Sequence, residues 1–471
     1  MIRIKLAEGV QFAPAGYGAL GVVRRGETMK LLGLNGHEET VAGLNDGPVV
    51  CDELSASWRA AEVMAAIRRM AQRSLVEFDC VVASTVYLTA RPIAGSTPCA
   101  FRELDMHARY LLSRFAYVRR CGANVFLESV RSRWRVTIHD AAILSVIGTV
   151  AQSACLTDVI QKCAYLESGV IKECLRFLVG VGIVGALRGG EEPDEDRIPE
   201  LAQREFHDVL LHAESRHGLA SQAIGGVFPF AGKFDPAPAI KEPTSDEVVD
   251  MYRPDLDVLA REDMPLTAVM EIRKSVRQFA ARHMTSRELG EFLFRVGRAR
   301  TVHKPLGGNS RDYETTSRTY PSGGAAYDIE LYVTAWHCEG VTRGLYHYDP
   351  LNHQLSLVTR DQATVRRIVR EARRAAAQAD CPQVVITLAS RFNRLSWKYR
   401  GIAYAITLKN AGVLYEAMYL VATAMGLAPC GLGGGNSMLF SEATGLDPLV
   451  ESSVGEFMIG VPKESAGCSP R

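Results

Sequence analysis

The spacing of apolar and polar positions changes several times along the chain, and each change marks an element. The first residues alternate in short runs, IRIKL, GALGVV and MKLLGL, separated by Gly and Asn-Gly breaks. Period-two alternation punctuated by turn residues predicts strands and tight connections. In LSASWRAAEVMAAIRRMAQRSLVEF the period lengthens. Ala60, Val63, Met64, Ile67 and Met70 fall at helical spacing, and SLVEF returns to strand. A second passage repeats this order. FLESV and WRVTI predict strands, and Ala141–Thr149, Leu156–Ala164 and Glu167–Val179 predict three short helices. GVGIVGAL closes the passage with a strand.

Strands, three helices and a closing strand make a winged-helix pattern. Residues 1–95 and 96–190 are therefore expected to be tandem winged-helix-like modules. Glu191–Pro199 (EEPDEDRIP) reads as an acidic loop, and Ala202–Arg216 as an amphipathic helix with Phe206, Val209, Leu210 and Ala213 on one side. Six prolines between Phe228 and Pro265 forbid regular helix over most of that stretch. Residues 191–265 thus read as a helix and a Pro-rich linker or wrapping arm, and 266–471 as a self-sufficient domain mixing helices and strands. The expected fold class is α+β.

Composition narrows the choice of function. The chain has 471 residues, 47% of them hydrophobic, which excludes disorder as its main character. Lys+Arg 54 against Asp+Glu 53 leaves a net charge of +1, far from the excess that non-specific phosphate binding requires. The longest apolar candidate, Phe177–Leu187, is shorter than the ~18–20 residues of a membrane helix. The N-terminal MIRIKLAEGVQF has no signal-peptide core. Eleven Cys lie singly, with no Cys-x-x-Cys pair, as expected for reduced thiols and no metal site. A cytoplasmic protein with no membrane and no nucleic-acid partner is expected.

Three segments of the last domain carry candidate chemistry. In EIRKSVRQF, Arg273, Ser275 and Arg277 alternate, so an extended backbone aims all three to one side as an anion clamp. A solvated edge strand is the plainer alternative. In RTYPSGGAAY, the turn Pro321-Ser322-Gly323-Gly324 lets the backbone approach a flat ligand, because glycine has no Cβ. In the third, Arg391, Arg394, Lys398 and Tyr399 precede the apolar helix Ala411–Met425, which runs into GLAPCGLGGG. That helix is apolar nearly all round, so it is expected in a core or a subunit interface. The glycines suit a phosphate cradle or a helix cap followed by a loop. No Gly-x-Gly-x-x-Gly fingerprint follows a strand, and no Walker A pattern occurs.

Taken in order, EIRKSVRQF, YPSGGAAYDIELYV, GLYHYDPLNHQLSL and WKYRGIAYAITLKNAGVLYEAMYLVATAMGLAPCGLGG resemble the SagB-type (McbC-like) azoline dehydrogenases of the FMN-dependent nitroreductase superfamily. The resemblance spans about Met264 to Pro462. It implies an enzyme that oxidises thiazolines and oxazolines of a ribosomally made peptide to thiazoles and oxazoles. By that likeness, Arg273, Ser275 and Arg277 would hold the FMN phosphate and ribityl chain. Pro321, Ser322, Gly323 and Gly324 would lie along the flavin ring, and Gly433 and Gly434 near the phosphate end. Lys398 and Tyr399 match the family's proton-abstracting pair. Making an azole removes a proton and a hydride from neighbouring carbons, so a base must take the proton. Free Lys and Tyr both titrate near ~10, so the site would have to lower one of them by burial or by a neighbouring cation, for which Arg391 and Arg394 are candidates. The family continues PSGGALYP, whereas Asp328 follows Tyr327 here, a departure that bears on substrate fit. The likeness also implies a homodimer, an azoline peptide substrate, a cyclodehydratase partner and leader-peptide-binding upstream modules.

Two other readings are open. A nitroreductase-like enzyme turning over a small molecule with NAD(P)H would not need the first 265 residues. A winged-helix DNA-binding regulator would need a basic recognition helix, and Glu167–Val179 is neutral. Arginines are denser in Phe101–Arg135, which could receive an acidic leader peptide or a partner enzyme. Arg366, Arg367, Arg370, Arg373 and Arg374 repeat at helical spacing within Asp361–Asp380, as in a solvated helix or a basic lid.

Overall fold

The structure is a computed structural model. It describes residues 1–14, 20–24, 27–31, 43–51, 65, 67, 69–71, 73–93, 99–305, 307, 309–377 and 380–463. The chain forms two compact units, Met1–Gln222 and Ala223–Arg471. Residues 191–222 therefore belong to the first unit and 223–265 to the second.

The first unit is built on seven antiparallel strands in the order Val49–Val50, Ile2–Leu6, Val76–Val82, Thr85–Pro92, Trp134–Ile138, Asn124–Ser129 and Ala116–Cys121. The helices Ile143–Val150, Leu156–Lys162 and Ser168–Gly180 fall where the periodicity places them. They accompany a three-stranded sheet of Ala154–Cys155, Arg109–Leu112 and Val184–Leu187. Of the earlier helical pattern, Ala60, Val63 and Met64 lie outside the described residues, while Ile67 and Met70 are helical and buried. Two successive modules are not what the packing gives. Thr85–Pro92 pairs with Trp134–Ile138, and one apolar cluster runs from Ile2 through Phe78 and Trp134 to Phe177. The two passages share a sheet and a core, because neither buries its apolar face alone.

Ser168–Gly180 is buried at Ile171, Cys174, Leu175, Arg176 and Phe177. It offers no basic face, since Arg176 is turned inward to Glu173 at 3.4 Å and the Phe101 carbonyl at 3.2 Å. The acidic stretch after it is not a plain loop. Asp194–Arg197 forms a helical turn and buries Glu195, which accepts from Ser113 Oγ at 2.5 Å and the Arg114 amide at 2.8 Å. Phe206–Glu214 follows as the expected amphipathic helix.

The second unit carries an antiparallel sheet in the order Val248–Asp250, Gln354–Thr359, Gly344–Asp349, Ile329–Ala335, Val384–Arg391, Glu451–Gly460 and Ala428–Leu432. Every residue of Ile329–Ala335 is buried, as befits a central strand covered on both faces. The helix Ser286–Gly297 starts with a capping box, Thr285 with Glu288, and packs Leu289, Phe292, Leu293 and Val296 into the core. The longest helix, Ala403–Ala424, contributes Leu414, Met418 and Ala422. It begins eight residues earlier than the apolar pattern suggests, and Asn410 is buried on it. The arginine-rich helix Gln362–Ala375 packs Val365, Val369 and Ala372 inward and pairs Arg367 with Glu442 at 2.8 Å. It is the solvated helix rather than a lid. Among the described residues, no helix is long and apolar enough to cross a membrane.

Candidate active site

The long helix Ala403–Ala424 is the ruler along which the candidate residues are arranged. Near its start lies the turn Pro321-Ser322-Gly323-Gly324. The Gly323 amide donates to Asn410 Oδ1 at 3.0 Å, and Ser322 Oγ accepts the Tyr327 amide at 3.0 Å. Gly324 sits at φ +62°, a left-handed conformation that favours glycine. A Cβ there would run into Tyr399 Oη and lie 2.7 Å from Lys398 Nζ. Residues 74 positions apart in the chain, Gly324 and Lys398, are thus in van der Waals contact, and glycine is the residue that allows it.

Asp328 explains how the turn is held. It is fully buried, accepting from Ser390 Oγ at 2.7 Å, Thr407 Oγ1 at 2.9 Å and Asn410 Nδ2 at 2.6 Å. The Asn410 amide is thereby fixed with its oxygen toward Gly323. A buried carboxylate needs such donors, and here they position the turn. The sequence flagged Asp328 only as a departure from a pattern; its role depends on side chains from two other elements, the strand Val384–Arg391 and the helix Ala403–Ala424.

Lys398 donates to Tyr313 Oη at 2.8 Å, and Tyr313 Oη donates to the Gly324 carbonyl at 2.7 Å. Burial pushes the Lys398 ammonium down, but its hydrogen bond to Tyr313 and the Tyr313 and Tyr399 phenols more than offset this. Its affinity for the proton is held above the ordinary lysine value. Lys398 is therefore not the member of the pair that is lowered. Arg391 and Arg394 do not supply a field for it either. Arg391 donates to buried Glu330 at 3.1 Å. Arg394 donates to the carbonyls of Ala326, Ala237 and Glu314 at 2.9, 2.6 and 3.0 Å, and burial pushes it down to about 10.

Nine residues further along the helix from Asn410, about 14 Å by helical rise, stands Tyr419. Ser275 Oγ lies 2.8 Å from its hydroxyl, and the Arg273 guanidinium lies 5.3 Å from its ring centroid. Residues 273–278 belong to no helix or strand, and the Val276 amide donates to the Pro429 carbonyl at 2.8 Å. Arg277 is exposed and adjoins Cys430, whose thiol is pushed up by burial and partly drawn back by that guanidinium. The alternation therefore brings Arg273 and Ser275 to one ring. Between the two ends, a cavity of about 380 Å³ opens beside Leu408, Gly412, Tyr415, Gly433, Gly434 and Gly455. At Gly455 a Cβ would collide with Tyr415 Oη.

Residues 110–221 match the model of the cyanobactin oxidase family ThcOx, and residues 270–461 match that of the nitroreductase family. Over residues 270–461 the second unit is thus similar to the nitroreductase family. That span contains every candidate site residue named above. A nitroreductase-family protein of Methanocaldococcus jannaschii is 26% identical over 191 residues, covering 40% of this chain and 85% of that one. The microcin B17-processing protein McbC of Escherichia coli is 30% identical over 135 residues, covering 27% of this chain; the chain spans about half, 49%, of McbC. The likeness to SagB-type (McbC-like) proteins read from the motifs is borne out by these matches. Among solved structures, a nitroreductase-like protein of Ralstonia eutropha aligns at 22% identity and TM-score 0.35, over 52% of this chain and 100% of its own. The E. coli microcin synthetase McbBCD complex with truncated pro-MccB17 aligns at 20% and 0.35, over 58% of this chain and 95% of that one.

Proposed function

We propose that the chain is an FMN-dependent azoline dehydrogenase that converts thiazoline or oxazoline rings of a ribosomally made peptide to azoles. The observation that carries this reading is the contact of the Pro-Ser-Gly-Gly turn with the Lys398–Tyr399 pair through the bare α-carbon of Gly324. The residues present fit a flavin. The glycine-lined cavity leaves room for a flat ring. Arg273 and Arg277 have no carboxylate partner among the described residues, so both guanidiniums are available to a phosphate. Gly433 and Gly434 line the same cavity, and Pro321, Ser322 and Gly323 form the turn at the helix start. When bound, the flavin would supply a hydride acceptor.

In this reading the roles within the pair divide. Lys398, held as an ammonium, orients substrate and keeps a positive charge beside the reacting carbon. The Tyr399 oxygen, crowded against Gly324 on the same side, would take the proton as its phenolate. Gly323 and Gly324 keep the turn's backbone close enough for both groups to reach a ring lying across it. The apolar residues Tyr404, Leu408 and Val413 stay exposed on the long helix and suit a homodimer contact. A cyclodehydratase would be the natural supplier of the azoline.

The test is direct. Purified full-length protein should release FMN on denaturation. An azoline-containing peptide should lose two hydrogens per ring by mass spectrometry under air. Rapid NAD(P)H oxidation with a small acceptor, and no change in the peptide, would favour the small-molecule reading instead.

A further inference from the structure

The stretch before the domain's first strand is not inert. The Gly225 amide donates to the Arg400 carbonyl and the Arg400 amide returns the bond, both at 3.0 Å. The Phe228 amide donates to the Lys398 carbonyl at 2.9 Å, and Trp397 Nε1 donates to the Phe234 carbonyl at 2.7 Å. Further on, Arg394 holds the Ala237 carbonyl, the Ala239 amide donates to Glu314 at 2.8 Å, and Lys241 pairs with Glu451 at 2.5 Å. This arm runs over residues 223–241 and is fastened to the Lys-Tyr segment. Phe228 itself adopts φ +51°, sparsely populated for a bulky residue, and its flanking hydrogen bonds hold it there.

The side chain that results faces Lys398. Nζ lies 5.6 Å from the Phe228 ring centroid, 5.1 Å from that of Tyr313 and 5.2 Å from that of Tyr399. A cation within about 6 Å of a ring centroid is attracted by the ring quadrupole. Among the described residues no carboxylate reaches Lys398 at ion-pair distance, so the rings stand where a counter-ion would. Two further cations stand beside the same rings: Arg311, 5.7 Å from the Phe228 centroid, and Arg394, 5.7 Å from that of Tyr313. Neither neutralises the ammonium.

We propose that Phe228 and Tyr313 are positioning residues that, with Tyr399, enclose Lys398 in a three-ring cage, and that the 223–241 arm is thereby a wall of the catalytic site. The proposal rests on the reading of Lys398–Tyr399 as the catalytic pair. Tyr313 gives the cage its direction. It accepts from Nζ and donates onward to the Gly324 carbonyl, so the ammonium is aimed at the turn rather than merely sheltered. No motif reaches either residue. Phe228 lies among prolines that read as a linker, and Tyr313 lies in a loop between strands.

The experiment uses the flavin-loaded full chain and the rate of reductive methylation of Lys398 by formaldehyde and cyanoborohydride, read by peptide mass spectrometry. The reagent attacks the uncharged amine, so the rate reports the ammonium's protection without any azoline substrate. The exposed Lys409 serves as an internal reference. Phe228→Ala is expected to raise Lys398 labelling about three- to tenfold, and to lower kcat on azoline peptide with little change in KM. Phe228→Tyr, which keeps the ring, should restore both. Lys398 labelling within twofold of wild type in a folded Phe228→Ala protein would overturn the cage. Should Phe228→Ala fail to fold, Tyr313→Phe decides. It keeps the ring and removes the hydrogen bond, and unchanged labelling there also overturns the proposal. The two ideas separate cleanly. An active Lys398→Ala removes the catalytic reading whatever the labelling shows. An inactive Lys398→Ala with labelling untouched by both ring variants removes the cage alone.

Discussion

In the first unit, Arg119 and Arg135 converge on one buried carboxylate, Glu128, with Arg119 at 2.7 Å. In the second unit, Lys398 lies among three rings and meets no carboxylate among the described residues. The arginines of Phe101–Arg135 are mostly spent in the same way as that pair. Arg131 pairs with Glu195 and Asp194 at 3.3 Å, Arg114 donates to the carbonyls of Leu201 and Arg204, and Arg109 to that of Ser153. Several cations of the Arg-dense segment thus hold neighbouring parts of the first unit together, while Arg102, Arg109, Arg114, Arg120 and Arg131 remain exposed. Cation density along a sequence does not mark chemistry. A half-buried cation without a counter-ion, held by neutral groups, does.

The comparison can be broken at several points. The largest effect is expected at Gly324→Ala, where the Cβ collides with Tyr399 and Lys398, the proposed catalytic pair, and φ +62° is unfavourable for alanine. Azole formation should fall by about 100-fold or more while the thermal midpoint drops only modestly. An unimpaired rate would remove the contact from the account. Glu128→Ala leaves Arg119 and Arg135 facing an uncompensated site, and should cost the first unit about 3–5 kcal/mol in denaturant unfolding. Turnover per bound flavin on a leaderless azoline peptide should stay unchanged, because Glu128 is scaffolding. A selective loss of turnover would erase the contrast between the regions.

Arg273→Ala should weaken FMN binding by about tenfold to a hundredfold, seen by flavin fluorescence titration. Unaltered affinity would leave the clamp a solvated segment. The smallest effect concerns Arg391, which belongs to the scaffolding class. Burial pushes its partner Glu330 up, but hydrogen bonding from His347 and the nearby Arg318 and Arg391 cations bring it down to about 2. A carboxylate depressed from about 4.5 contributes stability that is fully present above that value and lost as pH falls toward 2. Glu330→Gln should flatten the dependence of stability on pH in that window. An unchanged slope would show that Arg391 is not held by Glu330.

Much of the fold was legible because it follows from period and punctuation. The helices after Ile138 lie where the apolar spacing puts them. What the sequence could not show was sharing. Thr85–Pro92 and Trp134–Ile138 pair across two passages that read as separate modules. A pairing between strands some 40 residues apart leaves no local signal. The site divides likewise. Lys398, Tyr399 and the glycine turn were legible as motifs. Asp328, Asn410, Tyr313, Tyr419 and Phe228 were not, because each acts through contacts made only after the sheet and the long helix assemble. The direction of the Lys398 shift was not legible for the same reason. It depends on Tyr313, 85 residues away in sequence.

The measurement that bears most directly on the account is Lys398→Ala in the flavin-loaded protein, with bound FMN and azole formation quantified on the same preparation. The account predicts full FMN content and azole formation reduced to background. Azole formation at the wild-type rate would contradict it.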